Sequence, residues 1–324
     1  MNLTVSASPH IRGKDTTRRL MLDVVIALAP ALAVGVLFQG PRAGLVAAVC
    51  VVSALLGEWL TGLLPRGRNT LPDGSALVTG LLLALTLPAS VPYYAAAIGG
   101  LFATVVVKGL CGGIGQNAFN PALGARAFLM LFFPACLTRF PAFGTALPLG
   151  ELSPADVVTG ATPLHHMQMP ALPDASLLDL FLGRAGGCIG EVSALALLLG
   201  GGWLLFRRVI SIRIPAAYLG TVAVLTLAFF KGDSPLLWMA YSLLSGGVLL
   251  GAVFMATDYA TSPVGPAAQV VYGVGCGILT VVFRYTGLFP EGVTYAILMM
   301  NAAAWLLDRY LVPRRYGAGK EAAR

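Results

Sequence analysis

The 324-residue chain is 57% hydrophobic and only 11% charged, with a mean hydropathy of +0.82, whereas soluble domains run at roughly 45–50% apolar and 25% charged. This composition excludes an ordinary soluble enzyme and predicts an integral membrane protein. The formal charge of +7 calls for no nucleic-acid partner, because basic residues have a natural place beside membrane lipid headgroups.

The chain opens with a polar arm, residues 1–19, followed by an apolar run without the small-residue cleavage site of a signal peptide. The first span is therefore expected to be retained. Apolar runs of about 20 residues, the length that crosses a hydrocarbon core of roughly 30 Å as a helix, then recur to the end. They predict spans at 20–39, 44–64, 72–91, 93–112 and 118–137. A polar segment, 138–187, intervenes, and further spans follow at 188–206, 210–230, 235–257, 267–285 and 291–312. A basic tail, 313–324, closes the chain. The fold class read from this pattern is all-α, with ten transmembrane helices. The period-2 alternation of a β-barrel is absent.

Cytoplasmic loops concentrate Lys and Arg. With the N-terminus inside, 15 of the 21 positive residues fall on cytoplasmic segments, five fall outside, and Arg126 lies within a span. Both termini are thus expected in the cytoplasm and the 138–187 segment on the outer face. Five spans on each side of that segment force the second half to enter the membrane from the opposite side, as in an inverted repeat with a site between the halves. Gly80 and Thr86 in GLLLALT align with Gly251 and Thr257 in GAVFMAT, and FNPALGARAFLM corresponds to FPEGVTYAILMM. Breakers at Pro72-Asp73-Gly74, Pro88, Asn120-Pro121, Pro263, Pro266 and Pro290-Glu291-Gly292 read either as loop punctuation or as irregular backbone lining a cavity.

Ionisable side chains in or near spans mark sites or paired charges. They are Asp23, Glu58, Lys108, Arg126, Glu191, Asp258 and Glu291. Arg126 cannot lose its charge and needs an anionic partner, a carboxylate or a ligand phosphate. Asp258 reads as a cation ligand or as the polar end of a helix. The five cysteines (50, 111, 136, 188 and 276) stand singly and suit helix interiors better than metal ligation. The adjacent His165 and His166 lack a third ligand at familiar spacing. In the outer segment, Thr159-Gly160-Ala161-Thr162 forms a small, hydroxylated stretch that a bulky planar group can approach closely. By chemistry alone Thr162 is either a plain turn threonine or an attachment point.

The stretch TGATPL resembles the S/T-G-A-T flavinylation motif. Its last threonine carries FMN through a phosphoester in the D and G subunits of Rnf complexes and in the B and C subunits of the sodium-pumping NADH:quinone oxidoreductase. SPHIRGKDTTRRLMLDVVIALAPA, LPDGSALVTGLLLALTLP, FNPALGARAFL, FMATDYATSPV, QVVYGVGCGILTVVFR and PEGVTYAILMMNAAAWLLD are similar, in order, to the Rnf D family over nearly the whole chain. The resemblance implies two inverted five-helix repeats with a urea-transporter-like fold in a bacterial inner membrane. It implies covalent FMN on Thr162, within the Thr159, Gly160, Ala161 motif, and a second, noncovalent flavin such as riboflavin between the halves. It further implies electron flow between ferredoxin and NAD coupled to sodium ion or proton movement, with the other Rnf subunits (A, B, C, E and G) as partners.

Asp258 and Phe254 match two of three positions of an ion-pathway motif in the quinone-reductase relative, while Leu250 replaces its first phenylalanine. Trp305 stands where the family usually has proline, which is expected to straighten the last helix. Phe140, Phe143, Leu164 and Met167 are expected as flavin walls, with Arg139 and the histidines offsetting charge. GGIGQNAF follows a span and opens no βαβ unit, so no complete active site is expected in this chain alone. The rival reading is a stand-alone inverted-repeat transporter or channel without flavin.

Overall fold

The computed structural model describes residues 16–63, 70–113, 115–145, 147–150, 160, 162–168, 173, 175–184, 186–232, 234–287 and 291–311. Most of the N-terminal arm, the basic tail, Thr159 and Ala161 lie outside the described residues. Among the described residues the chain is all helix and contains no strand.

In chain order the helices are α1 (Thr17–Gln39), α2 (Pro41–Gly62), α3 (Ser75–Thr86), α4 (Tyr93–Gly109), α5 (Pro121–Phe132), α6 (Pro134–Leu137), α7 (Pro163–Gln168), α8 (Leu177–Leu182), α9 (Ala194–Phe206), α10 (Arg213–Ala228), α11 (Pro235–Leu244), α12 (Val248–Met255), α13 (Pro266–Thr286) and α14 (Val293–Tyr310). A helix, or a bent pair in the case of α11 and α12, stands at each apolar run. Three of them, α1, α2 and α13, are long and apolar enough to cross a membrane singly. The α11–α12 pair is long enough together, with a 62° bend between its members.

The other apolar helices are shorter than the twenty residues expected of a span, and the breakers explain why. Asp73-Gly74 and Pro88 bracket α3, Asn120 caps the start of α5 by accepting from the Ala122 and Leu123 amides, and Phe133-Pro134 ends it. At 12 residues each, α3 and α5 extend about 18 Å. That is short of a full crossing, and every residue of α3 except Leu77 sits with little or no exposure. Helix ends at such depth are tolerable only where protein or a watered cavity meets their polar groups.

Within the first half, α2 packs on α3 and α4; within the second, α10 packs on α11 and α13. Small residues bring these backbones together, as is usual between apolar helices. A Cβ added to Gly100 of α4 would stand 2.8 Å from the Cys50 carbonyl of α2, and one on Gly277 of α13 would stand 2.7 Å from Thr221 Cβ of α10. Between the halves, α1 meets α9 and α5 meets α14.

Two helices change to the wider π geometry, α4 at Phe102–Gly109 and α12 at Gly251–Met255. Such segments recur where helices carry function. The last helix, α14, runs unbroken through Trp305.

Candidate functional site

A cavity of about 320 Å³ lies between the halves. Thr162 stands on its rim, at the entry to the short helix α7. The Thr162 Oγ1 accepts from the His165 amide at 3.3 Å, and the residue is half-buried. The segment before it is held by the Gly160 amide, which donates to the Phe140 carbonyl at 3.0 Å. A Cβ on Gly160 would meet Ala142 Cα at 3.2 Å, which accounts for the small residue in that position. Phe140, Leu164, Met130 and Leu180 give the cavity apolar walls.

The cavity floor is ionic. Arg126 on α5 pairs with Glu291, which stands just ahead of α14. The buried Cys188 thiol links the two, accepting from Arg126 Nη2 at 3.6 Å and donating to Glu291 Oε1 at 3.5 Å. Ligand atoms of Cys188, Glu191 and Glu291 all fall within 4.8 Å of one another. A guanidinium already committed to this cluster argues against a metal there, since a cation would have to displace it. Glu191 lines the cavity, and its Oε1 has no hydrogen-bond partner among the described residues.

The bend between α11 and α12 forms one wall, through Ser245 and Gly246. Gly246 holds φ +69°, a left-handed conformation that favours glycine. Arg284 of α13 donates to the carbonyls of Ser242 at 2.7 Å and Ser245 at 3.0 Å, satisfying the end of α11 where its own ladder stops.

A second cavity, about 90 Å³, adjoins the far ends of α5 and α12. Phe254 and Asp258 both line it, with Ser75, Lys108, Asn117 and Asn120. Both π segments border it, one through Lys108 and the other through Phe254. Asp258 is occupied locally, accepting from the Ala260 amide at 3.4 Å and the Thr261 hydroxyl at 3.3 Å. Lys108 donates to Glu58 Oε1 and to Ser75 Oγ, each at 2.5 Å.

The structure thus brings Thr162 and Gly160 to one region and Asp258 with Phe254 to another. Of the four expected walls, Phe140 and Leu164 line the Thr162 cavity. Phe143 instead packs on Phe38, with ring centroids 5.6 Å apart, and Met167 faces a neighbouring small cavity. Arg139 is exposed and absent from the lining; Arg126 supplies the positive charge in its place. The His165 side chain is exposed.

The sequence marks Glu191, Arg126 and Glu291 singly but not their convergence, because 100 residues separate Glu191 from Glu291 along the chain. Arg42 and Arg284 read from sequence only as outer charges. Arg42 is 1% exposed, donating to the carbonyls of Ala89, Pro148 and Gly150 and lying 4.5 Å from the Tyr93 ring centroid.

The family model described as the NQR2, RnfD, RnfE family matches residues 4–317. Among curated proteins, the D subunit of the Na(+)-translocating ferredoxin:NAD(+) oxidoreductase complex of Acetobacterium woodii is 46% identical over 326 residues, covering 99% of this chain and 97% of its own. The D subunit of the proton-translocating ferredoxin:NAD(+) oxidoreductase complex of Clostridium ljungdahlii is 37% identical, covering 97% of this chain and 96% of its own. The D subunit of the ion-translocating oxidoreductase complex of Stutzerimonas stutzeri is 40% identical, covering 94% and 93%. A match over almost the entire length, together with an all-helical apolar body, places this chain in the NQR2, RnfD, RnfE family.

Proposed function

We propose that this chain is the D-type membrane subunit of an ion-translocating ferredoxin:NAD+ oxidoreductase complex, carrying electrons through FMN esterified to Thr162 and contributing to the coupled movement of sodium ions or protons. The relatives' names and the full-length match support the complex. The observation that carries the flavin is the Thr162 hydroxyl on the rim of an apolar-walled cavity of about 320 Å³, within the roughly 300–1,000 Å³ range of small-molecule sites.

The residues present fit such a group. Phe140, Leu164 and Met130 supply apolar surface for a planar ring, and Arg126 supplies the one cationic side chain among the described residues of the lining. Bound FMN would provide the one- and two-electron chemistry that no side chain here offers. The protein's part is to tether it, exclude water from one face and fix it between donor and acceptor subunits. The second cavity, about 90 Å³, is small for a flavin ring. A second, noncovalent flavin such as riboflavin, elsewhere between the halves, belongs to the same proposal.

In this reading ten membrane passages form two inverted five-helix halves with a urea-transporter-like plan. The parallel packing of α2 with α3 and α4, and of α10 with α11 and α13, supports the repeat. The bias of Lys and Arg supports cytoplasmic termini in a bacterial inner membrane, with Thr162 on the periplasmic side. The remaining Rnf subunits (A, B, C, E and G) are the proposed partners.

The test is direct. Protein from its native host, run on a denaturing gel, should keep yellow fluorescence under ultraviolet light, and its Thr162 peptide should carry the mass of FMN less water. Thr162→Ala should abolish both. Fluorescence retained in that variant moves the tether elsewhere; a parent peptide at its unmodified mass favours a flavin-free transporter instead.

A further inference from the structure

We propose that Glu191 is the charge-compensating group of the Thr162 cavity, taking up one proton as the first electron is placed there. The inference rests on the flavin assignment above and adds what the protein does with the incoming charge.

An electron added in a cavity between apolar helices has little water to screen it, so its charge is expensive unless a proton or cation follows. The described charged and titratable groups of the lining are Arg126, Glu191, Glu291 and Tyr295, with Cys188 and Arg284 beside them. Arg126 on α5 is committed to Glu291, and Arg284 on α13 is committed to the Ser242 and Ser245 carbonyls. Cys188 bridges Arg126 and Glu291. With both carboxylates ionised, two arginines balance two glutamates and the cluster is neutral. One further negative charge unbalances it.

Glu191 is the member with a free valence. Its Oε1 is buried without a partner among the described residues, and its carboxylate approaches that of Glu291 to within 4.8 Å. Two carboxylates that close share protons more readily than isolated ones, and the one not held by a guanidinium is the one that accepts. The balance is simple. The electron arrives from reduced ferredoxin through the partner subunits, and a hydronium ion at the cavity rim gives up one O–H bond as an O–H bond forms on Glu191, leaving neutral water. On reoxidation the electron leaves and the proton returns to water.

The location of Glu191 gives this event a mechanical outlet. A Cβ on Gly247 would lie 2.8 Å from Glu191 Oε1, so the carboxyl abuts the bend from which α12 leads to Phe254 and the Asp258 cavity. Gaining a proton converts Oε1 from an acceptor seeking a donor into a group able to donate to the bend.

The experiment uses the complex purified with its partner subunits, in parent, Glu191→Gln and Glu191→Asp forms, after fluorescence on a denaturing gel has shown that each carries its flavin. Redox-difference infrared spectra should show a protonated-carboxyl C=O band growing on reduction of the parent. The band should be missing in Glu191→Gln and present but shifted in Glu191→Asp. The midpoint potential of the Thr162-bound group, isolated by subtracting the titration of the Thr162→Ala complex, should vary with pH in the parent and Glu191→Asp. Its slope should fall in Glu191→Gln by up to 59 mV per pH unit, the equivalent of a tenfold change for one proton per electron.

An unaltered band and slope in flavin-loaded Glu191→Gln overturns this inference and leaves the flavin assignment standing. A parent without flavin on Thr162 overturns both. Should Glu191→Gln fail to assemble, Glu191→Asp decides: an unshifted band overturns the proposal.

Discussion

Lys108 is 3% exposed and Glu58 2% exposed, and neither is shielded by bulk water. Removing one member of such a pair strands the other charge, at a cost of about 3–5 kcal/mol, whereas replacing both by neutral residues is far milder. Lys108→Met should therefore lower the melting temperature in detergent strongly, and Lys108→Met with Glu58→Gln should recover most of the loss. A single variant that melts with the parent would show that the pair contributes nothing. The sequence pointed to the charged residues but not to their partners. Asp23 meets Arg207 at 3.2 Å across 184 residues, and Glu58 meets Lys108 across 50. Local pattern holds no information about which distant helix faces a given side chain. Thr162 differs, because the proposal for it rests on a contiguous motif, TGAT, rather than on a distant partner.

Among the helices, stability rests on close approach rather than on side-chain bulk. Gly277→Val places branched carbon against Thr221 and the Tyr218 carbonyl, which must push α13 from α10 and break the 2.6 Å hydrogen bond between the Tyr218 and Thr280 hydroxyls. Overpacking of this kind costs about 1–3 kcal/mol. Gly220→Ala, with nothing within 4 Å of the new methyl, is the matched control and should melt with the parent. Equal melting temperatures for Gly277→Val and Gly220→Ala would contradict the packing argument. The positions of the helices were legible because apolar runs have a definite length in lipid. Their true extents were not: α3 and α5 stop at 12 residues because Pro, Gly and Asn end them early. The 62° bend at α11–α12 sits at Ser245-Gly246-Gly247, inside an apolar run whose one proline, Pro235, lies at its start.

At the scale of the whole molecule, two cavities lie between the halves, one lined by Thr162 and the other by Asp258. We propose that the two divide labour, electrons at the first and ions at the second. Asp258→Asn should leave flavin loading intact and lower the number of ions moved per electron in reconstituted vesicles. An unchanged ratio would remove Asp258 from the ion route. Composition made the membrane setting plain, and the motif pointed to the outer loop. The division into two chambers was not legible, because each is assembled from at least four separate segments of the chain.

The partition between those chambers is thin. At eight residues, α12 spans about 12 Å, and exposed Thr138 and Tyr259 stand at the two rims. Were water to enter at both rims, the membrane voltage would fall across this short septum instead of a slab of roughly 30 Å, more than doubling the local electric field. A unit charge crossing it would then exchange about 2.3 kcal/mol per 100 mV over two turns of helix, concentrating the work of the membrane voltage on this one element.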